Sequence, residues 1–136
     1  MKIKNEKPPI YDHILQAGLA PSDGAIYTYG DTIYNPTGQP IPPDLVEHEE
    51  RHSWQQADDP DSWWGRYLDD AYFRMDQEAE AYADQYNFIC KKVLDRNQQY
   101  RILSRLSQIL ASPMYGSVLS AQACLNLIQS KARKIR

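Results

Sequence analysis

His48, Glu49 and His52 are the residues of this chain whose types and spacing point to chemistry. Residues four apart on a helix lie on one face, one turn apart. Within Leu45-Val46-Glu47-His48-Glu49-Glu50-Arg51-His52-Ser53-Trp54-Gln55-Gln56, two imidazoles therefore turn toward one point. That is what a tetrahedral zinc ion needs from two of its ligands. Glu49 lies about 100° further round the helix. From there its carboxylate reaches water at the metal without binding the metal, the position of a general base. Only three histidines occur in 136 residues, and two are here. The pattern HExxH arises by chance in roughly 0.3% of chains of this length and composition, so coincidence is a poor account of it.

The bland alternative is a solvated helix face that carries two histidines. The spacing argues against it. Leu45, His48, Glu49, His52 and Gln56 follow i, i+3, i+4, i+7, i+11, a stripe that normally carries core residues. Here the inward stripe starts apolar and becomes ionisable. Burying such groups is expensive unless they are paired or bound to a metal.

A third ligand is expected from residues 72–94. Met75, Glu78, Tyr82, Tyr86, Ile89 (with Cys90) and Val93 share one helical stripe, apolar except for Glu78. Asp76, Glu80, Asp84, Asn87 and Lys91 share another, polar throughout. Glu78 is thus the inward carboxylate and Glu80 the outward one. Two His and one Glu, with a fourth position for water, make a catalytic rather than a structural zinc site. Other divalent metals accept the same nitrogen and oxygen donors. Tyr82 follows Glu78 by one turn on the same face, which makes it a candidate donor to an oxyanion.

The elements that must position these residues can be read in outline. Ala25-Ile26-Tyr27-Thr28-Tyr29 and Thr32-Ile33-Tyr34 predict a hairpin about Gly30-Asp31. That hairpin either covers the core or offers an edge to an extended peptide. Pro40, Pro42 and Pro43 stiffen the approach to the motif helix, with Pro43 suited to its first turn. The helix ends near Gln56 or Ala57, and Asp61 or Ser62 caps the next. Of the adjacent Trp63 and Trp64, at most one is expected at the centre of the core and the other to line a pocket wall or cover the motif helix, because neighbours on a helix point about 100° apart. Residues 10–24 read as a short helix and a loop. Helical stripes at 102–110 and 118–128 supply a cover. The fold class is α+β, mostly α, in one domain over 1–136, with the metal-site core at 25–90 and the helical cover at 97–136.

Composition excludes several classes. Hydrophobic content of 42% and charged content of 24% suit a globular domain. No apolar run approaches the roughly 20 residues of a membrane-spanning helix, so no membrane partner is expected. No apolar segment follows the charged N-terminus, which predicts no secretory signal and a cytoplasmic location. Cys90 and Cys124 sit in apolar stripes and read as buried free thiols. His13 reads as a surface or core histidine. Residues 1–90 carry 6 Lys/Arg against 17 Asp/Glu, and residues 91–136 carry 9 against 1. The basic end (Lys131, Arg133, Lys134, Arg136) either meets nucleic acid or an acidic partner, or docks on the acidic half of the same chain. Docking is the expectation, since no nucleic-acid signature accompanies the charge.

His48-Glu49-Glu50-Arg51-His52 with Gln55-Gln56, followed by Glu78-Ala79-Glu80-Ala81-Tyr82, resembles the small zincins of the gluzincin type. In these an HExxH helix is completed by a Glu on a later helix. The HExxHxxQ form is similar to compact metallopeptidase-like domains encoded by phages and phage-tail-like particles. The resemblance covers about residues 25–90. It implies a minimal zincin-like fold, Zn2+ held by His48, His52 and Glu78, and Glu49 as catalytic base. Arg51 stands where many members have a small or apolar residue, and Tyr82 where several have Asp or Asn. Neither departure removes a ligand. The expected function is zinc-dependent peptide-bond hydrolysis on a peptide or protein substrate. The alternative is a structural or interaction component, for example of a phage particle, without turnover. A phage-encoded chain would work in the host cytoplasm or the virion.

Overall fold

The computed structural model describes residues 1–135. In chain order the elements are β1 (Lys2–Lys4), α1 (Tyr11–Gln16), β2 (Tyr27–Tyr29), β3 (Thr32–Tyr34), α2 (Pro43–Gln56), α3 (Pro60–Asp69), α4 (Ala71–Cys90), α5 (Arg96–Leu110), a 3-10 turn (Pro113–Tyr115) and α6 (Ala121–Ile135). The chain is α+β and mostly helical, as its periodicities predict.

The hairpin pairs Tyr27 with Tyr34, Thr28 with Ile33 and Tyr29 with Thr32. Gly30 takes φ +64 at the first central position of the turn, where the hairpin geometry calls for a positive φ. β1 then adds in parallel to β3, giving the order β1-β3-β2. The sequence carries no local sign of this third strand. Lys2-Ile3-Lys4 is short and exposed, and its partner lies some thirty residues away. β2, at the other edge, packs on α2.

Pro43 opens α2 as expected, and the helix ends at Gln56. The next helix begins earlier than predicted. Asp59, not Asp61 or Ser62, is the cap, accepting from Ser62 N at 3.0 Å, and Pro60 takes the first helical position, where a missing N–H is harmless. Both Trp63 and Trp64 are buried and both line the cavity, with Trp63 covering the motif helix at His52. Tyr67, Phe73 and His52 surround the Trp63 ring, while the Trp64 indole N–H donates to Thr28 O, so the helix is covered on both sides.

α4 is the central helix. It packs against α2 on one side and against α5 and α6 on the other. Ala79, Ala81 and Ala83 are fully buried on it, and their small side chains let the neighbouring helices come close. Asp70 starts α4 by accepting from Tyr72 N and Phe73 N. The helix stops at Cys90, so the predicted stripe ends before Val93. α6 starts at Ala121, with Ser120 Oγ accepting from Ala123 N, rather than at Val118. Val118 and Leu119 instead pack on the core from the preceding loop.

Two apolar clusters result. One joins α4, α5 and α6 through Met75, Leu103, Leu110 and Ile128. The other joins α1, the hairpin and α3 through Ile14, Tyr27, Trp64 and Tyr67. Each fully buried aliphatic side chain contributes about 1.5–3 kcal/mol of transfer free energy. Cys90 is half-buried and Cys124 buried, and both are free. Among the described residues no helix is long and apolar enough to cross a membrane.

Candidate metal centre

The ionisable stripe of α2 lies in the seam between the two clusters. His48, Glu49, His52 and Gln56 are its buried residues. Glu78, one-third of the way along α4, faces them and is also buried, while Glu80 lies half-exposed. Glu78 Oε1 stands 3.0 Å from His48 Nε2 and 3.0 Å from His52 Nε2, and the two nitrogens are 3.1 Å apart.

Neighbouring amides fix the state of both imidazoles. Gln85 donates its amide N–H to Asp44 Oδ2 at 2.8 Å, so its oxygen is the atom 3.1 Å from His48 Nδ1. Gln55 donates to Gln77 O at 2.9 Å, so its oxygen is the atom 2.8 Å from His52 Nδ1. Each Nδ1 therefore carries a proton, and in the neutral rings each Nε2 presents a lone pair. Two lone pairs and a carboxylate oxygen then meet at hydrogen-bond distance. Three acceptors repel one another unless a cation sits among them.

A divalent metal satisfies that requirement. Three atoms spaced this way leave a point just off their plane at the roughly 2.0–2.2 Å that zinc takes to nitrogen and oxygen. Tyr67 Oη donates to the second oxygen of Glu78 at 2.5 Å, which leaves Oε1 to face the imidazoles. His48, His52 and Glu78 are the group of described residues placed to hold a metal ion. A proton is the competing cation. Burial works to depress the His52 imidazole, but the Glu78 charge and hydrogen bond outweigh it and push its pKa up to about 9. Burial works to raise the Glu78 carboxyl, and the two imidazoles reverse this and hold it below the usual carboxylate range.

Glu49 stands beside this set, not in it. Its Oε2 is 3.7 Å from His48 Nε2, and Thr28 Oγ1 lies 3.0 Å from its Oε1. Burial raises its pKa, and the nearby imidazoles offset this only in part. Thr28 reaches Glu49 because α2 and the hairpin are tied together. Gln56 donates its amide to Thr28 O at 2.7 Å and accepts from Gly30 N at 2.7 Å, and Ser53 Oγ donates to Gly30 O at 2.7 Å. Thr28 O also takes the Trp64 indole N–H, so this point of the β2 edge is occupied by side chains.

Tyr82 packs its ring edge-on against His48, with centroids 4.4 Å apart, and its hydroxyl meets Tyr115 Oη at 2.7 Å. Tyr115, from the 3-10 turn, lines the cavity beside the imidazoles. Burial and the charge of Glu78 raise the Tyr67, Tyr82 and Tyr115 phenols, so all three keep their protons. Arg74 is buried and pairs with no carboxylate among the described residues. It donates to Tyr67 O at 2.6 Å and Tyr115 O at 3.0 Å, and so holds the two tyrosine backbones together. A Cβ at Gly116 would stand 3.1 Å from its guanidinium.

The cavity over the site measures about 50 Å3, and Ile14, Leu19, Ile26, Trp64 and Met114 give it apolar walls. Ile26 also borders an open groove of about 370 Å3 formed with Pro40, Ile41 and Leu45. Arg51, one of the two departures noted above, points away from the cavity and pairs with Asp84 through two N–H groups. It fastens α2 to α4. His13 is exposed and takes no part.

Thr28, Tyr67, Tyr115, Gln85 and Arg74 are site residues that sequence reasoning does not find. The first three come from a strand, another helix and a turn distant in the chain. An uncharged Gln85 and a lone Arg74 on the α4 sequence were the only local hints. Comparison with protein families, curated proteins and solved structures finds no match for this chain.

Proposed function

We propose that this chain is a zinc-dependent peptidase in which His48, His52 and Glu78 hold the metal and Glu49 moves the proton. One observation carries the reading. Three acceptor atoms converge within 3.0–3.1 Å of one another, and a buried carboxylate stands beside them at 3.7 Å. A zinc ion in this set supplies Lewis acidity, polarising a carbonyl and acidifying water. Glu49 accepts the proton of the attacking water and passes it to the leaving amine. Thr28 holds one Glu49 oxygen and so aims the other. Either hydroxyl of the Tyr82–Tyr115 pair can donate to the other; when Tyr82 donates, the Tyr115 proton is left for the oxygen that gains charge. Trp63 and Trp64 keep bulk water out. The Ile26–Leu45 groove suits an apolar side chain of the substrate.

The cavity size favours a second reading. About 50 Å3 holds a water or two but not a peptide segment. A metal-binding structural or interaction component fits that size, whereas a peptidase needs Leu19, Ile26 and Met114 to part. The two readings separate by zinc content and by cleavage of a mixed peptide library, before and after chelation. One zinc per chain with chelator-sensitive cleavage supports the peptidase. One zinc per chain with no cleavage of any peptide moves the conclusion to the second reading.

A further inference from the structure

At the end of the α4–α5–α6 bundle lies an open groove of about 1060 Å3. Three cations from three elements border it: Lys91 just after α4, Arg96 at the start of α5 and Arg133 near the end of α6. Phe88, Leu94 and Ile135 give it an apolar lining, with Leu94 79% exposed. The chain has carboxylates to spare, 18 against 15 cationic side chains. It uses one of them nearby, closing Lys131 on Asp76 at 2.7 Å. Among the described residues, the side chains of Lys91, Arg96 and Arg133 have neither an ion pair nor a hydrogen bond. The expected docking of the basic end on the acidic half thus holds for Lys131, while the Arg133 and Lys134 side chains pair with no acid among the described residues and Arg136 lies outside them.

We infer that this groove binds an acidic segment of a protein partner, its carboxylates meeting Lys91, Arg96 and Arg133 and an apolar side chain covering Leu94 and Phe88. Charge complementarity selects the acid, and the exposed leucine selects the apolar contact. The lining disfavours nucleic acid. Phe88, the one aromatic ring there, already has Lys92 over it and is not offered to a base, and of the two carboxylates at the border Asp84 is paired with Arg51. Gln99 and Gln129 add amide groups that suit a peptide main chain.

The test is fluorescence anisotropy of the full chain with three labelled probes: a peptide alternating Glu and Leu, a peptide alternating Lys and Leu, and an oligothymidylate. Two double variants are compared with the parent. Arg96→Glu with Arg133→Glu reverses charge in the groove, and all four changed positions are exposed when the control, Arg101→Glu with Arg105→Glu on α5 outside the groove, is included. The Arg96 change suits a helix N-terminus, whereas Arg133→Glu puts an acid in the last turn of α6, so the melting temperature of the double variant is compared with the parent's before binding is read. The Glu/Leu peptide is expected to bind in a salt-sensitive manner and to weaken about tenfold or more in the groove variant, with little change in the control. Equal weakening in both variants would overturn the groove in favour of diffuse attraction. Tighter binding of the oligothymidylate, lost in the groove variant, would assign the surface to nucleic acid. Absence of peptide binding, or self-association of the parent that the groove variant abolishes, would also overturn the proposal.

Discussion

Thr28 Oγ1 lies 3.0 Å from Glu49 Oε1, so a hydroxyl on a β-strand edge aims the carboxylate that a helix motif supplies. The motif alone leaves that carboxylate free to rotate. The strand fixes it. In Thr28→Val the shape is kept and the hydrogen bond is lost. Zinc content should stay at the parental level, while turnover falls by about 10–150-fold, as for a lost charge-assisted hydrogen bond of about 1.5–3 kcal/mol. Equal turnover in the variant and the parent would remove Thr28 from the mechanism.

Glu49→Gln separates proton transfer from metal holding. The amide has nearly the same shape and cannot accept the proton at neutral pH. Fold and zinc should persist, and peptide cleavage should drop by about 10²–10⁴-fold. His48→Ala should behave differently, losing zinc and lowering the melting temperature, because metal binding contributes to the folded state. Cleavage that survives Glu49→Gln undiminished would sink the proposed mechanism.

The amides behind the imidazoles should govern metal affinity. Gln55→Ala and Gln85→Ala leave all three ligands in place but release the Nδ1 protons from their acceptors. Zinc affinity measured against a competing chelator should fall by about 10–100-fold in each. A variant with unchanged affinity would show that its ring is held by packing alone, Tyr82 for His48 or Trp63 for His52.

Chelated protein should lose stability in alkali. In the metal-free fold the His52 pKa lies at about 9, above the 6.5 of a free imidazole. A raised folded-state pKa stabilises fully below the free value and loses that contribution as pH rises through the folded one. The matching Glu78 shift runs the other way, so its share is present above the usual carboxylate range and fades only in strong acid. Both describe one interaction, counted once. Melting temperature of the chelated protein should therefore decline between pH 6.5 and 9, and zinc, which takes the place of the proton, should flatten the curve. A flat profile after chelation would mean that no proton bridges the set.

The convergence of His48, His52 and Glu78 was legible because helical spacing is short-range. His48 and His52 fall four apart, and Glu78 stands out as the one charge on an apolar stripe. Glu49 followed from its angle on the same helix. The strand β1 and the roles of Thr28, Tyr67 and Tyr115 were not legible. They depend on which elements meet, and that is decided by packing between segments 20 to 60 residues apart, about which local periodicity says nothing. Tyr82 illustrates the boundary. Its face was read from spacing, but the direction of its hydroxyl depends on Tyr115, in a turn beyond α5.

Arg74 and Gly116 bear on how this site can be inherited or transplanted. His48, Glu49, His52 and Glu78 all lie before residue 90, which by itself would let a short cassette carry the cluster to another scaffold. The guanidinium of Arg74 removes that freedom. It grips the carbonyl of Tyr115 and fills the space left by the missing side chain at residue 116. Cut away after α4, the cassette would keep its ligands and expose a cation that has lost an anchor, along with the apolar flank of α4. The unit that can be moved or duplicated intact is therefore longer than the unit that touches the metal.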